Sequence, residues 1–380
     1  MSSRIGQFLV LKRLYIEGEI KEMVKIPAKI ETWQMVEPGK LARASLDVPE
    51  LKPDEVLVEI AGCGLCHTDL GYFYDGVPTV SKPPLTLGHE ISGRVVAGDS
   101  KWLDKEVIIP AVMPCNNCPI CAAGRGNRCL AQKMPGNSMG IYGGNSSHIV
   151  VPSDDLCDIP DRKGIPLSHF AVIADAVTSP YQAAMRAEVK PGDLTVVVGA
   201  TGGLGVYATQ VCAALGAKEV IGIARNPEKL KRALDFGVTH TIQVTTDKDA
   251  RAIRDEFRAY CNEKGIPNNY GWKIFEWTGA LTGQKIALEL LSFIGKLVIC
   301  GFGMQKNEYS LSRLMAFDAD IFGSWGCLPK YYPKVLKMVL DGKIQIEPFI
   351  ETRPMSTIEE SYEEAHKGGL MKRIVLTPDF

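Results

Sequence analysis

A glycine-rich turn in the middle of the chain constrains its fold more than any other feature of the sequence. Residues 194–198 form an apolar run, a helical pattern follows at 206–215, and a second apolar run lies at 220–223. This order of elements predicts a β-α-β unit with two parallel strands. Glycines between the first strand and the helix let the backbone approach a pyrophosphate at the helix N-terminus. The turn therefore predicts a dinucleotide site at Gly199, Gly202, Gly203, Leu204 and Gly205.

The alternation of strands and helices continues beyond this unit. Helices are expected near residues 228–236, 247–260 and 284–291, and strands near 241, at 273–275 and at 297–300. Such a succession is typical of a doubly wound parallel sheet. Beyond residue 323 only a helix at 332–340 and a strand at 373–376 are expected, which is too little to fold alone. We expect this tail to return to the first part of the chain.

The first part of the chain has a different sequence pattern. Short β-rich runs separated by Gly, Pro and Asn lie at 56–60, 92–96, 107–109 and 147–151, and the run at 56–60 is the first convincing strand. This pattern is typical of an irregular, mostly-β domain. With 380 residues, of which 46% are hydrophobic, the chain is long enough for two domains with large cores.

Charge and hydropathy exclude several classes of partner. Lys and Arg number 43 and Asp and Glu number 44, so no overall field attracts nucleic acid or an anionic membrane. No apolar run has membrane-spanning length, and the stretch 8–15 is interrupted by Lys12 and Arg13. We expect a cytoplasmic protein with no nucleic-acid or membrane partner. The sequence indicates no role for residues 1–22, and Met23 can serve as an alternative start.

Four closely spaced cysteines carry the most specific signal for a metal. Cys115, Cys118, Cys121 and Cys129 follow the pattern Cys-x2-Cys-x2-Cys-x7-Cys. Four thiolates on one tight loop can enclose zinc as a tetrahedron with no open position, which is typical of a structural site. The chain has 11 cysteines, and this odd number favours metal binding in a reducing compartment over a disulfide framework.

A second group of potential metal ligands precedes this loop. The run Gly62-Cys63-Gly64-Leu65-Cys66-His67-Thr68-Asp69 is followed by Gly88-His89-Glu90. One thiolate and one imidazole provide two ligands, and a catalytic zinc needs a third ligand and one open position. From these residues alone, a metal-binding pair and a His held in an ordinary loop are equal alternatives.

Together and in this order, the three motifs resemble the medium-chain zinc-dependent alcohol dehydrogenase family from about residue 32 onward. The resemblance implies an α/β fold in which residues 1–176 and 323–380 form a GroES-like, mostly-β catalytic domain with both zinc sites. Residues 177–322 correspond to a doubly wound Rossmann domain that binds the cofactor. The resemblance also implies two zinc ions per chain and assembly as a homodimer or homotetramer.

Matching motif positions give the site residues that the resemblance implies. Cys66 and His89 correspond to catalytic zinc ligands, and Asp69 corresponds to the partner that orients His89. Glu90 corresponds to a carboxylate beside the metal. The third ligand of the family is Cys, Asp or Glu, and the matching segment places Asp175 there. The alternative for Asp175 is a carboxylate stabilised at a helix N-terminus.

The resemblance also implies a proton route and cofactor contacts. Thr68 corresponds to the hydroxyl that accepts the proton of the alcohol. Many relatives continue the relay through a His where this chain has Gly71, so His67, Tyr72 and the cofactor ribose are the candidates for the next step. Cofactor contacts are expected from Ser179, Arg225 and Arg373. For Arg373 the alternatives are a surface position and a contact from Lys372 in its place.

The choice of cofactor is left open by the residues. The glycine turn is one residue longer than G-x-G-x-x-G, and the strand at 220–223 ends in Ala224-Arg225 without an acid, which favours NADP. A closer resemblance favours NAD, because five segments are similar to a subgroup of the family that acts in anaerobic benzoyl-CoA degradation. Members of this subgroup are NAD-linked and oxidise a ring alcohol conjugated to a coenzyme A thioester. The five segments are 33–40, 132–137, 175–178, 314–317 and 324–329.

The substrate expected from this closer resemblance is an alicyclic acyl-CoA ester. Its phosphates require cations, for which Lys330, Lys334 and Lys337 are candidates, with a solvated helix face as the alternative. Two other functions compete: an NADP-dependent secondary alcohol or aldehyde reductase acting on small free substrates, and a binding protein that has lost catalysis. A zinc-ribbon nucleic-acid module is disfavoured because no basic stripe in the sequence surrounds the four-cysteine loop.

Overall fold

The computed structural model describes residues 26–380. The expectations for residues 1–25, including the start of the first domain, the stretch 8–15 and Met23, lie outside the described residues. The strands are β1 (Lys29–Glu37), β2 (Lys40–Asp47), β3 (Glu55–Gly64), β4 (Leu85–Thr86), β5 (Glu90–Gly98), β6 (Glu106–Ile109), β7 (His148–Pro152), β8 (Cys157–Asp158), β9 (Leu194–Val198), β10 (Glu219–Ala224), β11 (His240–Gln243), β12 (Trp272–Glu276), β13 (Lys296–Ile299), β14 (Asp320–Gly323), β15 (Ile350–Pro354) and β16 (Arg373–Thr377). The helices are α1 (His67–Phe73), α2 (Pro119–Ala122), α3 (Thr178–Arg186), α4 (Gly205–Ala214), α5 (Pro227–Ala233), α6 (Ala250–Lys264), α7 (Leu281–Leu290), α8 (Leu311–Phe317), α9 (Tyr332–Leu340) and α10 (Ile358–Lys367).

A six-stranded parallel sheet forms the core of the second half of the chain. Its order is β11-β10-β9-β12-β13-β14, and every neighbouring pair is parallel. Val196 and Val198 pack with α6 and α7, whereas Val197 packs on the opposite face with α4. Burial on both faces explains why these strands are almost continuously apolar. The predicted doubly wound sheet is confirmed.

Side-chain caps set the first residues of α5 and α6. Helix α6 begins at Ala250 and not at 247, because the Asp249 side chain accepts a hydrogen bond of 2.8 Å from the backbone N–H of Ala252. Helix α5 begins after Asn226, whose side chain accepts from the N–H of Lys229 at 3.0 Å. Helix α8 and strand β14 were not expected from the sequence.

A seven-stranded, mostly antiparallel sheet forms the core of the first part of the chain. Its order is β15-β16-β3-β5-β6-β8, with β7 also paired to β3. The expectation that 56–60 is the first strand is wrong, because β1 and β2 precede it and form a separate sheet with β4. The buried face of β1 includes the polar residues Thr32 and Gln34, which obscure the alternation. Thr32 Oγ1 is hydrogen-bonded to Thr86 Oγ1 at 2.8 Å.

The C-terminal tail joins this first sheet. Strand β16 pairs antiparallel with β3 and parallel with β15. The sequence predicts β16 but neither β15 nor α10. Most residues of α10 are polar, and its buried side includes Ser361 beside Ile358, Tyr362 and Ala365. The pairing of β16 with β3 carries Arg373 to the edge of the region that holds the candidate ligands.

The glycine-rich turn lies where the order of the parallel sheet reverses, between the ends of β9 and β12. Gly199 has a φ of +87°, which favours glycine, and a Cβ on Gly205 would lie 2.0 Å from the carbonyl oxygen of Gly199. Buried Glu276 accepts hydrogen bonds from the backbone N–H groups of Thr278 and Gly279 at 2.7 and 3.3 Å. The backbone on both sides of this switch point is therefore fixed, as ligand sites of such sheets require.

Pairing between β3 and β5 brings the two predicted ligand segments together. Gly64, at the end of β3, is the register partner of Glu90, at the start of β5. Further along the pair, Gly93 faces the backbone of β3 so closely that a Cβ would lie 2.2 Å from the oxygen of Glu59. Close strand approach at Gly93 thus supports the geometry of the candidate site.

None of the helices formed by residues 26–380 combines the length and the apolar character that crossing a membrane would require.

We predict that Gly93→Ala destabilises the protein by about 2 kcal/mol or more, because the added methyl group overpacks the junction of β3 and β5. Thermal unfolding followed by circular dichroism measures the effect. Gly323→Ala is the matched control, since the nearest atom to a Cβ there is 3.9 Å away. Equal midpoints for the two variants would contradict the prediction.

Candidate active site

Four potential ligand side chains converge where β3, β5 and the segment before α3 meet. They are Cys66, His89, Glu90 and Asp175, and their ligand atoms all lie within 4.8 Å of one another. Asp175 Oδ2 lies 4.0 Å from Cys66 Sγ and 3.6 Å from His89 Nε2. Cys66 and His89 are buried. The structure thus brings the three predicted ligands and Glu90 together from three separate segments.

The buried Asp69 carboxylate ties two of these segments to each other. It accepts hydrogen bonds from the backbone N–H groups of Cys66 at 3.3 Å and Gly88 at 3.0 Å. Its Oδ1 atom also lies 3.1 Å from His89 Nδ1. A proton on Nδ1 shared with Asp69 leaves the Nε2 lone pair facing Cys66 and Asp175, which is the tautomer that binds metals.

Contacts of residues before and after Asp175 in the sequence fix its position. It follows the buried 3-10 helix Leu167–Ala174, and its Oδ1 accepts a hydrogen bond of 2.5 Å from Ser179 Oγ. The hydroxyl of Tyr332 donates to the carbonyl oxygen of Ala174. Burial acts to raise the pKa of Asp175, but the hydrogen bond and the charge of His89 together act more strongly in the opposite direction. The net effect is a lowered pKa. One carboxylate oxygen is therefore fixed by Ser179 while the other faces Cys66 and His89.

A buried ion pair joins Glu90 to Arg373. Arg373 Nε donates to Glu90 Oε2 at 3.0 Å and Nη2 donates to Oε1, and the two side chains are 7% and 0% exposed, respectively. Burial raises the pKa of Glu90 to about 7, although Arg373 acts to lower it. A Cβ on Gly203 would lie 2.7 Å from Arg373 Nη1, so the guanidinium also reaches the glycine turn. The surface alternative for Arg373 is wrong, whereas Lys372 is exposed.

The candidates for proton transfer lie at the start of α1. Thr68 Oγ1 is 3.7 Å from Cys66 Sγ, and Thr68 is half-buried. His67 is exposed, whereas Tyr72 is buried and its hydroxyl accepts a hydrogen bond of 2.6 Å from Asn137 Nδ2. Of the two protein candidates for the next step, His67 is the one that reaches solvent.

The four-cysteine loop forms a second compact set of ligand atoms. Cys115, Cys118, Cys121 and Cys129 have sulfur atoms within 4.8 Å of one another. Backbone N–H groups, that of Leu130 first, lower the pKa of Cys118 to about 6, which favours the thiolate that a metal requires. All 11 cysteines of the chain are free thiols, so the alternative of a disulfide framework is excluded.

The predicted cofactor residues do not all lie at the glycine turn. Arg225 is exposed directly after β10, and β10 ends without a carboxylate. Ser179, expected to contact the cofactor, donates to Asp175. No sequence pattern predicted the Ser179–Asp175 bond, the role of Tyr332 or the Glu90–Arg373 pair. The partners in that last pair are 283 positions apart, and no local pattern joins them.

The donor set fits zinc on the chemistry of its atoms. It consists of one thiol sulfur, one imidazole nitrogen with its other nitrogen occupied by Asp69, and one carboxylate oxygen. Zinc accepts this combination, and a site with three protein ligands is typical of catalytic zinc. The four sulfur atoms of the second set leave no ligand position to a substrate, as structural zinc sites do.

Comparison with known families gives two matches that together cover most of the chain. Residues 52–161 match the family described as alcohol dehydrogenase GroES-like domain, and residues 203–341 match the family described as zinc-binding dehydrogenase. These matches confirm the predicted combination of a GroES-like and a Rossmann domain.

Curated relatives align over most of their length. An alcohol dehydrogenase of Geobacillus stearothermophilus is 29% identical over 333 residues, which is 86% of this chain and 93% of the relative. A sorbitol dehydrogenase of Bombyx mori is 25% identical over 341 residues, which is 87% of this chain and 93% of the relative.

Solved structures give the same fold. Galactitol-1-phosphate dehydrogenase from Escherichia coli superposes with a TM-score of 0.80 at 24% identity, over 92% of this chain and all of that chain (100%). A zinc-binding dehydrogenase from Sinorhizobium meliloti 1021, solved with NADP bound, has a TM-score of 0.78 at 22% identity over 93% of this chain and 100% of its own.

We predict that Ser179→Ala weakens zinc retention about tenfold, because Asp175 loses the bond that orients its carboxylate. Transfer of zinc to a chelating dye measures the loss without any assay of activity. Ser179→Thr keeps the hydroxyl and serves as the control. Release from Ser179→Ala at the wild-type rate would show that the bond does not position Asp175.

Proposed function

The chain belongs to the medium-chain family of zinc-dependent alcohol dehydrogenases, and from this premise we propose that it oxidises a ring alcohol with a nicotinamide cofactor. The observation that carries the proposal is the convergence of Cys66, His89 and Asp175 near a dinucleotide-type glycine turn. We assign these side chains to a catalytic zinc and the four cysteines of the 115–129 loop to a structural zinc. Residues 1–176 and 323–380 are proposed as the catalytic domain and 177–322 as the cofactor domain.

Each residue of the proposed metal centre has a separate task. A zinc ion held there supplies Lewis-acid chemistry, which makes a substrate hydroxyl more acidic. Asp69 keeps Nε2 of His89 directed into the site, and Ser179 fixes Asp175 so that Oδ2 faces the same point. Arg373 engages both oxygens of Glu90. Cys66, His89 and Asp175 are therefore the donors left available.

Thr68 is proposed to accept the proton of the alcohol. Its hydroxyl lies beside Cys66 at the edge of the donor set, and the adjacent His67 is exposed. We propose that the proton passes from Thr68 through His67 to solvent, in place of the relay His whose position Gly71 occupies. Tyr72 is less suited, because it is buried and its hydroxyl is already bonded to Asn137.

The proposed substrate is 6-hydroxycyclohex-1-ene-1-carbonyl-CoA, an intermediate of anaerobic benzoyl-CoA degradation. Three of the segments that resemble enzymes of this reaction surround the donor set. Segment 175–178 contains Asp175, segment 132–137 contributes Asn137 to the bond with Tyr72, and Leu328 of segment 324–329 donates its N–H to Gln182 of α3 at 3.2 Å. Oxidation of small free alcohols is the rival, and the curated relatives named above act on substrates of that class by their names.

NAD is the proposed cofactor, with NADP as the second candidate. The closer resemblance favours NAD. Exposed Arg225 at the end of β10 is the observation that favours NADP, since a cation there can pair with a 2′-phosphate.

We predict that kcat/KM for the CoA ester exceeds that for the free hydroxy acid and for cyclohexanol by about 100-fold or more, because binding of the remote CoA group contributes to transition-state stabilisation. Initial rates of NADH formation with each substrate measure the ratio. Comparable kcat/KM for the free alcohols would refute the CoA-ester assignment and support the rival function.

We also predict that kcat/KM is higher with NAD than with NADP and that Arg225→Ala changes the NAD value by no more than about twofold, since NAD carries no 2′-phosphate. Lys231→Ala, an exposed change on α5, is the control. A preference for NADP that disappears in Arg225→Ala but not in Lys231→Ala would reverse the assignment.

A further inference from the structure

Five cations that form no salt bridge within residues 26–380 lie together beside the four-cysteine loop. Salt bridges within 4 Å occur at many of the charged side chains described, but none involves these five. We call them the cationic strip. Its members are Arg125, Arg128, Arg186, Lys330 and Lys334. No basic stripe surrounds this loop in the sequence, and α3 and the 322–334 segment supply the other cations.

Four of the five members of the strip lie over aromatic rings. The guanidinium of Arg128 lies 4.4 Å from the ring centroid of Trp325, and Asn127 Nδ2 donates to the carbonyl oxygen of Trp325 at 2.7 Å. Arg186 lies 4.9 Å from the ring of Phe322. Lys330 and Lys334 lie over Tyr331 and Tyr181 at 5.3 and 5.7 Å.

The members of the strip are close enough to engage one ligand. The segment 325–331 can span at most about 25 Å even when fully extended. A Cβ on Gly126, next to Arg125, would lie 3.7 Å from Leu328, so the cysteine loop packs on the middle of this segment. Burial, together with the nearby positive charge of Arg125, lowers the pKa of Arg186. The positive charges of the strip therefore repel one another, and an anionic ligand would relieve this repulsion.

The strip also leads to the proposed metal centre. Leu328 is bonded to Gln182 of α3, the helix that begins three residues after Asp175. Tyr332, which follows Tyr331 directly, donates to the carbonyl of Ala174, the residue before Asp175. The segment that carries the strip is therefore bonded to α3 and to the residue before Asp175.

We propose that the cationic strip binds the adenosine 3′-phosphate and pyrophosphate of the coenzyme A group, with the adenine against Trp325. This inference rests on the proposed function and adds the place where the CoA ester is recognised. Arginine and lysine match the phosphates in charge, and Trp325, 37% exposed, offers an aromatic face to a base. The proposed place of the dinucleotide is different, at the glycine turn between β9 and α4. Lys337 lies outside the strip and pairs with Asp341 at 2.8 Å.

The test is calorimetric titration of the full-length, zinc-loaded protein with free coenzyme A, 3′-dephospho-CoA and pantetheine. We expect coenzyme A to bind more tightly than 3′-dephospho-CoA, and pantetheine to bind weakly. Arg128→Gln and Lys334→Gln should each weaken coenzyme A binding about tenfold, or about 1.4 kcal/mol, and reduce its dependence on salt. Lys337→Gln is the control for loss of one exposed lysine and should bind like the wild type.

Steady-state kinetics with the CoA ester separates failure of this inference from failure of the proposed function. If the ester is a good substrate but Arg128→Gln and Lys334→Gln keep the KM and coenzyme A affinity of Lys337→Gln, the strip is not the binding site. If Arg128→Gln instead loses zinc from the cysteine loop, the arginine serves the thiolates and the inference is also overturned. If the wild type neither binds coenzyme A nor oxidises the ester, the proposed substrate itself is wrong.

Discussion

A single buried carboxylate holds the candidate metal centre together. Asp69 bonds to the backbone of Cys66 and Gly88 and to the ring of His89, and so joins two segments that are more than twenty residues apart. Pairing of β3 with β5 places the thiol and the imidazole near each other, and these bonds fix the two side-chain positions. A buried carboxylate without partners would be strongly destabilising, so the network fixes both ligands and the tautomer of His89 at once. The proposed catalytic zinc depends on that fixed pair.

A buried ion pair links this centre to the glycine turn of the parallel sheet. The Glu90–Arg373 pair lies between the donor set and Gly203, and both side chains are buried. Breaking such a pair on one side leaves an uncompensated buried charge. Arg373 can therefore pair with two anionic groups, the carboxylate beside the proposed zinc and a pyrophosphate at the glycine turn. The close approach of these elements requires that β16 return to β3 at the end of the chain.

Sequence patterns were sufficient where chemistry is local. The parallel sheet, the glycine turn, the bounds of α9 and the four-cysteine cluster follow from apolar runs, glycines and cysteine spacing within short stretches, whereas Asp175 was expected as a ligand only from the resemblance to a family. Contacts between distant segments could not be predicted: Arg373 with Glu90, Tyr332 with Ala174, and the cations that gather around Trp325. Strand β1 could not be predicted either, because its buried face carries the polar residues Thr32 and Gln34, and the hydrogen bond of Thr32 to Thr86 is a tertiary contact that the sequence does not display.

The most direct measurement is anomalous X-ray diffraction at the zinc absorption edge from crystals of active protein. We predict two peaks per chain, one among Cys66 Sγ, His89 Nε2 and Asp175 Oδ2 and one among the four sulfur atoms of the 115–129 loop, at zinc–ligand distances of about 2.0–2.3 Å. An active crystal with a peak only at the four cysteines, and none between β5 and α3, would contradict it.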